Sequence, residues 1–233
     1  MENTDNGSAL GNRVATRAME GSGSGNIIVK NLTIQNMYVH STLDDTTIDH
    51  TNSNCYYANG ATGPVAFHNN TISHVGWCVT IQNYSNNPII DIHNNTFVFY
   101  DHGVSMGNQS ATPSFTVNIY NNHFGTTVNW DNTANVYHHD ALHFYSPTSA
   151  FNAASSFNIY NNLFDGDFGI NSTAHIFAEN APPNMTLYNN VHIQFPGNSI
   201  SNGFIYTFDG SANPTFYNNT YLADATVSGM TCL

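Results

Sequence analysis

Histidine and aspartate side chains occur together at several points along the chain. The densest run is His139-Asp140-x-x-His143, with Asp101-His102 before it and His175 after it. In glycoside hydrolysis one carboxyl group protonates the leaving oxygen while a second acts as base or nucleophile, at about 5 Å for retention and roughly 6.5 to 9.5 Å for inversion. Imidazole and carboxylate groups also suit a transition metal ion. Either chemistry requires a fold that brings these residues together.

The elements that must position these residues are marked by six Asn-Asn pairs. Their first members are Asn69, Asn94, Asn121, Asn161, Asn189 and Asn218. The pairs recur 25 to 40 residues apart, and a recurring period of this length is typical of solenoid proteins. Asparagine tolerates the left-handed backbone of a tight bend, and its amide can form a hydrogen-bonded ladder when strands stack about 4.8 Å apart. We therefore expect asparagine to make both the bend and the ladder.

Strand patterns flank these pairs. Residues 115–124 alternate apolar and polar side chains around one Asn pair, and residues 157–164 nearly repeat the pattern around another. Alternation with a period of two indicates strands, whereas a helix would place apolar residues three and four apart. A third alternating segment follows before the next pair, as at 79–82 and 141–145. Each repeat thus predicts three strands and three turns, which describes a right-handed parallel β-helix.

The chain resembles the pectate lyase-like superfamily, whose coils have three strands and an asparagine at one bend, over roughly residues 26–223. The resemblance implies an all-β fold, a right-handed single-stranded parallel β-helix with an Asn ladder at one turn. Lyases, hydrolases, epimerases and phage tailspikes share this scaffold, so it specifies architecture rather than one activity. We expect a β-helix domain at 26–233. Residues 1–25 are expected to be a flexible or truncated segment, because they are polar and Gly/Ser-rich without the apolar core of a signal peptide.

Charge limits the partners of this protein. Its 233 residues include 3 Lys plus Arg and 15 Asp plus Glu, a formal net charge of −12. Nucleic acid is not an expected partner, because neutralising phosphates needs basic residues that this chain lacks. The same scarcity disfavours a polyuronate lyase, since lyases of the resembled superfamily use Arg or Lys. No stretch approaches the roughly 20 apolar residues of a membrane span. The low charge and the many Asn, Thr and Tyr residues suit an extracellular or cell-surface protein.

Aligning the third segments of successive repeats predicts which side chains become neighbours. The alignment uses four apolar residues expected to point inward: Val79, Val104, Leu142 and Ile176. It places at one level Trp77, His102, Asp140 and Ala174, and at the preceding level Gly76, Asp101, His139 and Thr173. Because adjacent strands lie about 4.8 Å apart, we predict a single cluster of Asp and His side chains: Asp101, His102, His139, Asp140, His143 and His175.

This cluster predicts a site for a polysaccharide or another glycan, with cleavage by a glycoside hydrolase-like mechanism. Asp140 is the predicted general acid and Asp101 the base that activates water, while His139 and His143 orient them. Aromatic rings can stack on the apolar faces of sugars, and the predicted platforms are Trp77, Trp130, Tyr137 and Tyr145. The further predicted substrate contacts are His102, His175, Glu179 and Asp167. Clustered Asp residues with a nearby His are also similar to the inverting hydrolases of the resembled superfamily.

Other functions stay open at this point. A non-catalytic glycan-binding or tailspike-like module would need only aromatic and amide groups, and a lyase or epimerase could use His and Tyr as base and acid. The hydrolase interpretation needs no cofactor. A divalent cation is the alternative, with transition-metal ligands from His139, Asp140 and His143 together with Asp101 or His102, or calcium ligands from Asp44 and Asp45.

Three predictions concern packing. Cys55 and Cys78 open the third strand on neighbouring coils, where a disulfide is within reach. The phenylalanines of the repeats are expected to stack in the core, among them Phe67, Phe97, Phe124 and Phe164. One equivalent position before the Asn pair is occupied by tyrosine in four repeats, and these rings are expected to form a second stack: Tyr120, Tyr160, Tyr188 and Tyr217.

Overall fold

A computed structural model describes residues 17–23, 25–37, 53–84, 88–107, 114–128, 138–145, 151, 153–179, 184–195, 203–208 and 214–223. Within these ranges the chain is all-β. They contain no α-helix, and so none that could cross a membrane. The sheet begins before residue 26, because the first strand already pairs with a strand of the repeats.

The strands are β1 (Arg17–Glu20), β2 (Ile27–Lys30), β3 (Thr33–Gln35), β4 (Asn54–Asn59), β5 (Val65–His68), β6 (Thr71–Gln82), β7 (Ile89–His93), β8 (Thr96–Gly107), β9 (Thr116–Tyr120), β10 (His123–Phe124), β11 (Asp140–Tyr145), β12 (Ser156–Tyr160), β13 (Leu163–Phe164), β14 (Ile176–Glu179), β15 (Met185–Tyr188), β16 (Val191–Ile193), β17 (Ile205–Phe208), β18 (Thr215–Tyr217) and β19 (Thr220–Leu222).

These strands pair in parallel within two sheets. One sheet has seven strands in the order β18-β15-β12-β9-β7-β5-β2, and the other has twelve. Equivalent residues of successive repeats lie side by side, so that Ile92 pairs with Ile119 and Ile119 pairs with Ile159. In the larger sheet β6 and β8 each run through 12 residues. The next repeat divides the same path between β10 and β11, both of which pair with β8.

The two members of each Asn pair have different structural roles. The first members have a left-handed backbone with φ between 54° and 56°: Asn69, Asn94, Asn121, Asn161, Asn189 and Asn218. The second members form the ladder, with carboxamide groups 3.0 to 3.1 Å apart: Asn70, Asn95, Asn122, Asn162, Asn190 and Asn219. The bend and the ladder are both confirmed, but they are divided between neighbouring residues.

The ladder satisfies the hydrogen-bonding capacity of each internal carboxamide. The Oδ1 atom of Asn122 accepts hydrogen bonds from the backbone N and the side-chain Nδ2 of Asn95. The Nδ2 atom of Asn122 donates to Asn162 Oδ1 and to the carbonyl oxygen of Ile92. An amide side chain has two lone pairs and two N–H groups, so none remains unused at this buried position.

Two aromatic stacks run along the repeats. In the core, the ring of Phe124 lies 4.9 Å from that of Phe97 and 5.1 Å from that of Phe164, nearly parallel to both. On the other side of the seven-stranded sheet, rings at one outward position lie 4.6 to 4.9 Å apart: His68, His93, Tyr120, Tyr160, Tyr188 and Tyr217. Both predicted stacks are confirmed, and the outer one begins with two histidines.

The two cysteines of the described residues are free and buried in the core, so the predicted disulfide is wrong. Cys55 and Cys78 instead pack as small apolar groups within the main hydrophobic cluster. Burial raises the pKa of the Cys78 thiol well above its usual value, with a smaller contribution from Cys55 beside it. The thiol of Cys78 therefore stays protonated at neutral pH.

Candidate functional site

Four adjacent strands of the larger sheet carry the polar cluster. They lie in the order β6-β8-β11-β14, with Val79 opposite Val104, Val104 opposite Leu142, and Leu142 opposite Ile176. The predicted alignment of these four apolar residues is confirmed. It brings Asp140 opposite His102, although the two residues are far apart in the sequence.

A local break in the strand alternation explains why Asp140 and His143 lie together. In a regular strand, residues three apart point to opposite faces. Here two consecutive residues, Ala141 and Leu142, both pack into the core, so His143 returns to the face of Asp140. The neighbouring strand comes close at this point. A Cβ atom on Gly103 would lie 2.6 Å from the carbonyl oxygen of Ala141.

The cluster consists of His102, His138, Asp140 and His143, whose ligand-type atoms all lie within 4.8 Å of one another. One carboxylate oxygen, Asp140 Oδ2, lies 2.7 Å from His138 Nδ1 and 3.7 Å from His102 Nε2. The other oxygen, Oδ1, accepts a 3.0 Å hydrogen bond from the backbone N of Ala174. These four side chains could hold a metal ion.

Asp101 supports the cluster from one side. Its Oδ2 atom lies 2.9 Å from His102 Nδ1 and accepts a 2.9 Å hydrogen bond from the indole N–H of Trp77. The contact with His102 leaves the Nε2 atom of that ring available on the side of Asp140. Asp101 therefore orients His102 and is itself buried.

Burial and a neighbouring carboxylate shift the pKa values of two histidines of the cluster in opposite directions. Desolvation, with smaller effects of the nearby His102 and His138, lowers the pKa of His143 well below its usual value. Desolvation also acts to lower the pKa of His138, but the hydrogen bond and charge of Asp140 outweigh it, and the pKa of His138 is raised. His143 is therefore neutral at physiological pH, and its ring nitrogens can act as ligands.

Aromatic and polar groups border the cluster. The rings of Trp77 and Tyr145 are 6.0 Å apart in an edge contact, and both approach His143. Tyr145 extends across Gly107 and accepts a hydrogen bond from Gln82. Burial raises the pKa of Tyr145 to about 12, although the bond from Gln82 opposes this shift. The Tyr145 hydroxyl is consequently neutral and can donate a hydrogen bond.

Glu179 lies at the open side of the cluster. Its Oε1 atom is 3.9 Å from His143 Nε2, and its side chain is 36% exposed, whereas the side chain of Asp140 is 0% exposed. Glu179 is thus a carboxylate that a substrate at this face can reach.

Of the residues predicted for the cluster, Asp101 lies beside it, whereas His139 and His175 lie away from it. His139 points to the opposite face, where its Nε2 contacts the carbonyl oxygen of Phe168, and its backbone pairs with Ser172 rather than with Thr173. The alternation of side chains accounts for this, because His139 lies between two residues of the other face. His175 is buried in the core beside Phe168, with its Nδ1 atom 3.1 Å from His192 Nδ1.

The remaining predicted contacts have separate positions. Asp167 stabilises a turn, because its Oδ1 accepts a 2.9 Å hydrogen bond from Gly169 N. Trp130 and Tyr137 lie outside the described residues, as do the predicted calcium ligands Asp44 and Asp45.

His138 is part of the cluster, although no role was predicted for it from the sequence. The signal was present in the run His138-His139-Asp140. Strand alternation puts residues 138 and 140 on one face and residue 139 on the other, and this pattern selects His138 over His139 as the neighbour of Asp140.

Comparison of this chain with protein-family models, curated proteins and solved structures finds no match.

Proposed function

We propose that this chain is a right-handed parallel β-helix that binds an extracellular polysaccharide and hydrolyses it beside the His/Asp cluster. The parallel sheets, the register between repeats and the asparagine ladder support the β-helix. Lateral stacking of many repeats gives an elongated surface, which suits an extended polymer.

The observation that carries the proposed activity is the mixed surface around His143. Trp77 and Tyr145 present aromatic rings, and Gln82 connects the hydroxyl groups of Tyr57 and Tyr145 by hydrogen bonds. Aromatic rings next to a few fixed hydrogen-bonding groups are suited to a sugar, which has apolar faces and hydroxyl edges. A carboxylate, Glu179, lies at the same place.

The geometry supports a different division of roles from the one that we predicted from sequence. A general acid or base must come within hydrogen-bonding reach of the reacting oxygen or water. Asp140 and Asp101 are buried and already contact His138, His102 and other partners. In our proposal Glu179 donates a proton to the leaving oxygen and recovers one from the water that attacks the sugar carbon, while Asp101 and Asp140 hold the imidazoles in place.

A screen of neutral and acidic polysaccharides tests the proposal, with new reducing ends and ultraviolet-absorbing unsaturated ends measured in parallel. We expect reducing ends without unsaturated ends. We also expect Glu179→Gln to lower the rate by about 100-fold or more, as for the loss of an acid/base group. The matched control is Asp91→Asn on the seven-stranded sheet, where Asp91 accepts a hydrogen bond from Asn118, and it should keep the parent rate.

Other outcomes would replace this proposal with a specific alternative. Unsaturated ends would indicate a lyase, in which the neutral Tyr145 hydroxyl could serve as the acid. Binding without any new end would indicate a glycan-binding or tailspike-like module. Full turnover by Glu179→Gln would exclude Glu179 as the proton-transfer group.

A further inference from the structure

We propose that His102, His138, Asp140 and His143 bind one divalent transition metal ion, with zinc as the first candidate. This inference stands on the geometry of the four side chains. Only the ion's contribution to hydrolysis, a bound water of lowered pKa, rests on the proposed function.

The spacing of the four side chains is close to what such an ion requires. Zinc takes nitrogen and oxygen ligands at about 2.0 to 2.2 Å, so that ligands in a tetrahedron lie roughly 3.3 to 3.6 Å from one another. Asp140 Oδ2 is 2.7 Å from His138 Nδ1 and 3.7 Å from His102 Nε2. These two distances lie on either side of the required spacing. All four ligand atoms lie within 4.8 Å of one another, so the side chains would have to close inward around an ion.

Three nitrogen atoms in the cluster have no hydrogen-bond partner although they are buried. They are His102 Nε2, His143 Nδ1 and His143 Nε2, in side chains that are only 3% and 7% exposed. Leaving a buried polar group unsatisfied costs on the order of 1 to 3 kcal/mol, and such groups call for an explanation by a bound ion or water. Because His102 and His143 both belong to the cluster, a metal ion bound there would provide a partner for His102 Nε2 and for one of the two His143 nitrogens.

The groups behind the four ligands resemble the support of a metal centre. Metal-binding histidines generally donate their second ring N–H to a carboxylate or carbonyl oxygen, which fixes the tautomer and the ring orientation. Asp101 provides this for His102 through the 2.9 Å contact with Nδ1. The backbone N of Ala174 fixes Asp140 in turn through Oδ1, which leaves Oδ2 on the side of the histidines.

The donor atoms determine the class of metal. Three imidazoles and one carboxylate suit zinc, copper, nickel or cobalt, whereas calcium and magnesium prefer an all-oxygen shell. A bound cation would replace the hydrogen bond between His138 Nδ1 and Asp140 Oδ2 with a bond to each of these atoms.

Titration of metal-stripped, untagged protein with zinc tests this inference, since an affinity tag would add histidines of its own. Isothermal titration calorimetry should give one ion per chain, and added cobalt should give the intense visible absorption of tetrahedral Co²⁺. Asp101→Asn keeps its shape and should weaken zinc binding by about 10- to 100-fold, as expected for loss of a supporting carboxylate. His143→Gln should weaken binding at least as much.

The matched control is His93→Gln, which removes an imidazole from the outer stack and should bind zinc as the parent does. Circular dichroism confirms that each variant is folded. The inference is overturned if the stripped parent binds no zinc, or if His143→Gln binds it with parental affinity. Zinc binding without cleavage of any polysaccharide would overturn the proposed function alone. Cleavage by protein that binds no zinc would overturn only the metal site.

Discussion

At the scale of single residues, Asn121 and Asn122 have identical side chains in opposite surroundings. Asn121 is exposed, and its backbone has a φ of 55°. Asn122 is buried, and its carboxamide accepts two hydrogen bonds and donates two. The first position therefore selects for a backbone conformation, and the second selects for an amide group.

Substitution separates these two requirements. Asn122→Ala should lower the free energy of unfolding by on the order of 3 kcal/mol or more, because it leaves several buried partners unsatisfied. Asn121→Gly should change it by less than about 1 kcal/mol, because glycine accepts positive φ readily. Urea unfolding of both variants measures the difference. Equal losses would contradict the division of roles within the pair.

The buried pair of His175 and His192 predicts a loss of stability in acid. Burial lowers the pKa of His192 to about 3, and burial together with the neighbouring His192 lowers the pKa of His175 well below its usual value. A histidine in an unfolded chain titrates near 6.5. Between about pH 6.5 and pH 3, the unfolded chain thus binds protons that the folded chain excludes. Over this range each of the two histidines lowers the free energy of unfolding by about 1.4 kcal/mol for each unit by which the pH falls.

Stability should therefore be greatest above about pH 6.5 and fall as the pH decreases. The double variant His175→Phe with His192→Phe should flatten this slope, since phenylalanine rings can occupy the same aromatic surroundings. Urea unfolding at several pH values measures the slope. Comparison at pH 8 serves as the control, because only packing distinguishes the proteins there. An unchanged slope in acid would show that these two histidines do not cause it.

At the scale of elements, the close approach of β8 to β11 depends on glycine. A Cβ atom on Gly103 would lie 2.6 Å from the carbonyl oxygen of Ala141 and 3.0 Å from the ring of Phe124. For a Cβ atom on Gly107, the three nearest atoms all belong to the Tyr145 ring, the closest at 2.6 Å. A backbone carbonyl cannot move aside as a side chain can. A substitution at Gly103 would therefore push β8 and β11 apart, whereas one at Gly107 would move the Tyr145 side chain.

Gly103→Ala should therefore destabilise the protein more than Gly107→Ala does, by about 1 to 3 kcal/mol as for overpacking of a core. Gly107→Ala should mainly displace Tyr145. Thermal unfolding compares the stabilities, and tyrosine fluorescence reports the displacement. If Gly107→Ala were the more destabilising substitution, the close contact between β8 and β11 would not be the limiting one.

The elements also show how far sequence patterns can specify a site. The apolar alignment of Val79, Val104 and Leu142 predicted which strands are neighbours, and the pairing confirms it. Alternation within His138-His139-Asp140 is sufficient to select His138, so the prediction of His139 was wrong. Ala141 and Leu142 are consecutive, yet both pack into the core. The alternation of apolar and polar residues could not predict this, because tertiary packing decides where a strand departs from regular alternation.

At the scale of the whole molecule, the large negative net charge affects stability. The chain has a formal net charge of −12 with 3 basic residues, so repulsion among carboxylates opposes the compact state. We expect the melting temperature to rise from low salt to about 1 M sodium chloride, where the Debye length falls to about 3 Å. Potassium chloride should give the same rise, and a fall in both salts would contradict the expectation.

The repeat spacing predicted parallel strands in register, and this is confirmed, whereas the winding into a right-handed β-helix remains our proposal. The spacing succeeds because each repeat must place its apolar residues over those of the previous one. The repeat spacing does not predict that the His175 side chain is buried, since an imidazole can occupy either a polar face or an aromatic core. The roles of Trp130 and Tyr137 stay predictions.

The cluster joins two lengths of chain that are separated in sequence. His102 comes from β8, whereas His138, Asp140 and His143 follow residue 137. A cut between residues 107 and 114 would give two fragments, each carrying an incomplete set of ligands. Mixing such fragments with cobalt would make colour a reporter of their reassembly, so the protein could serve as a complementation sensor.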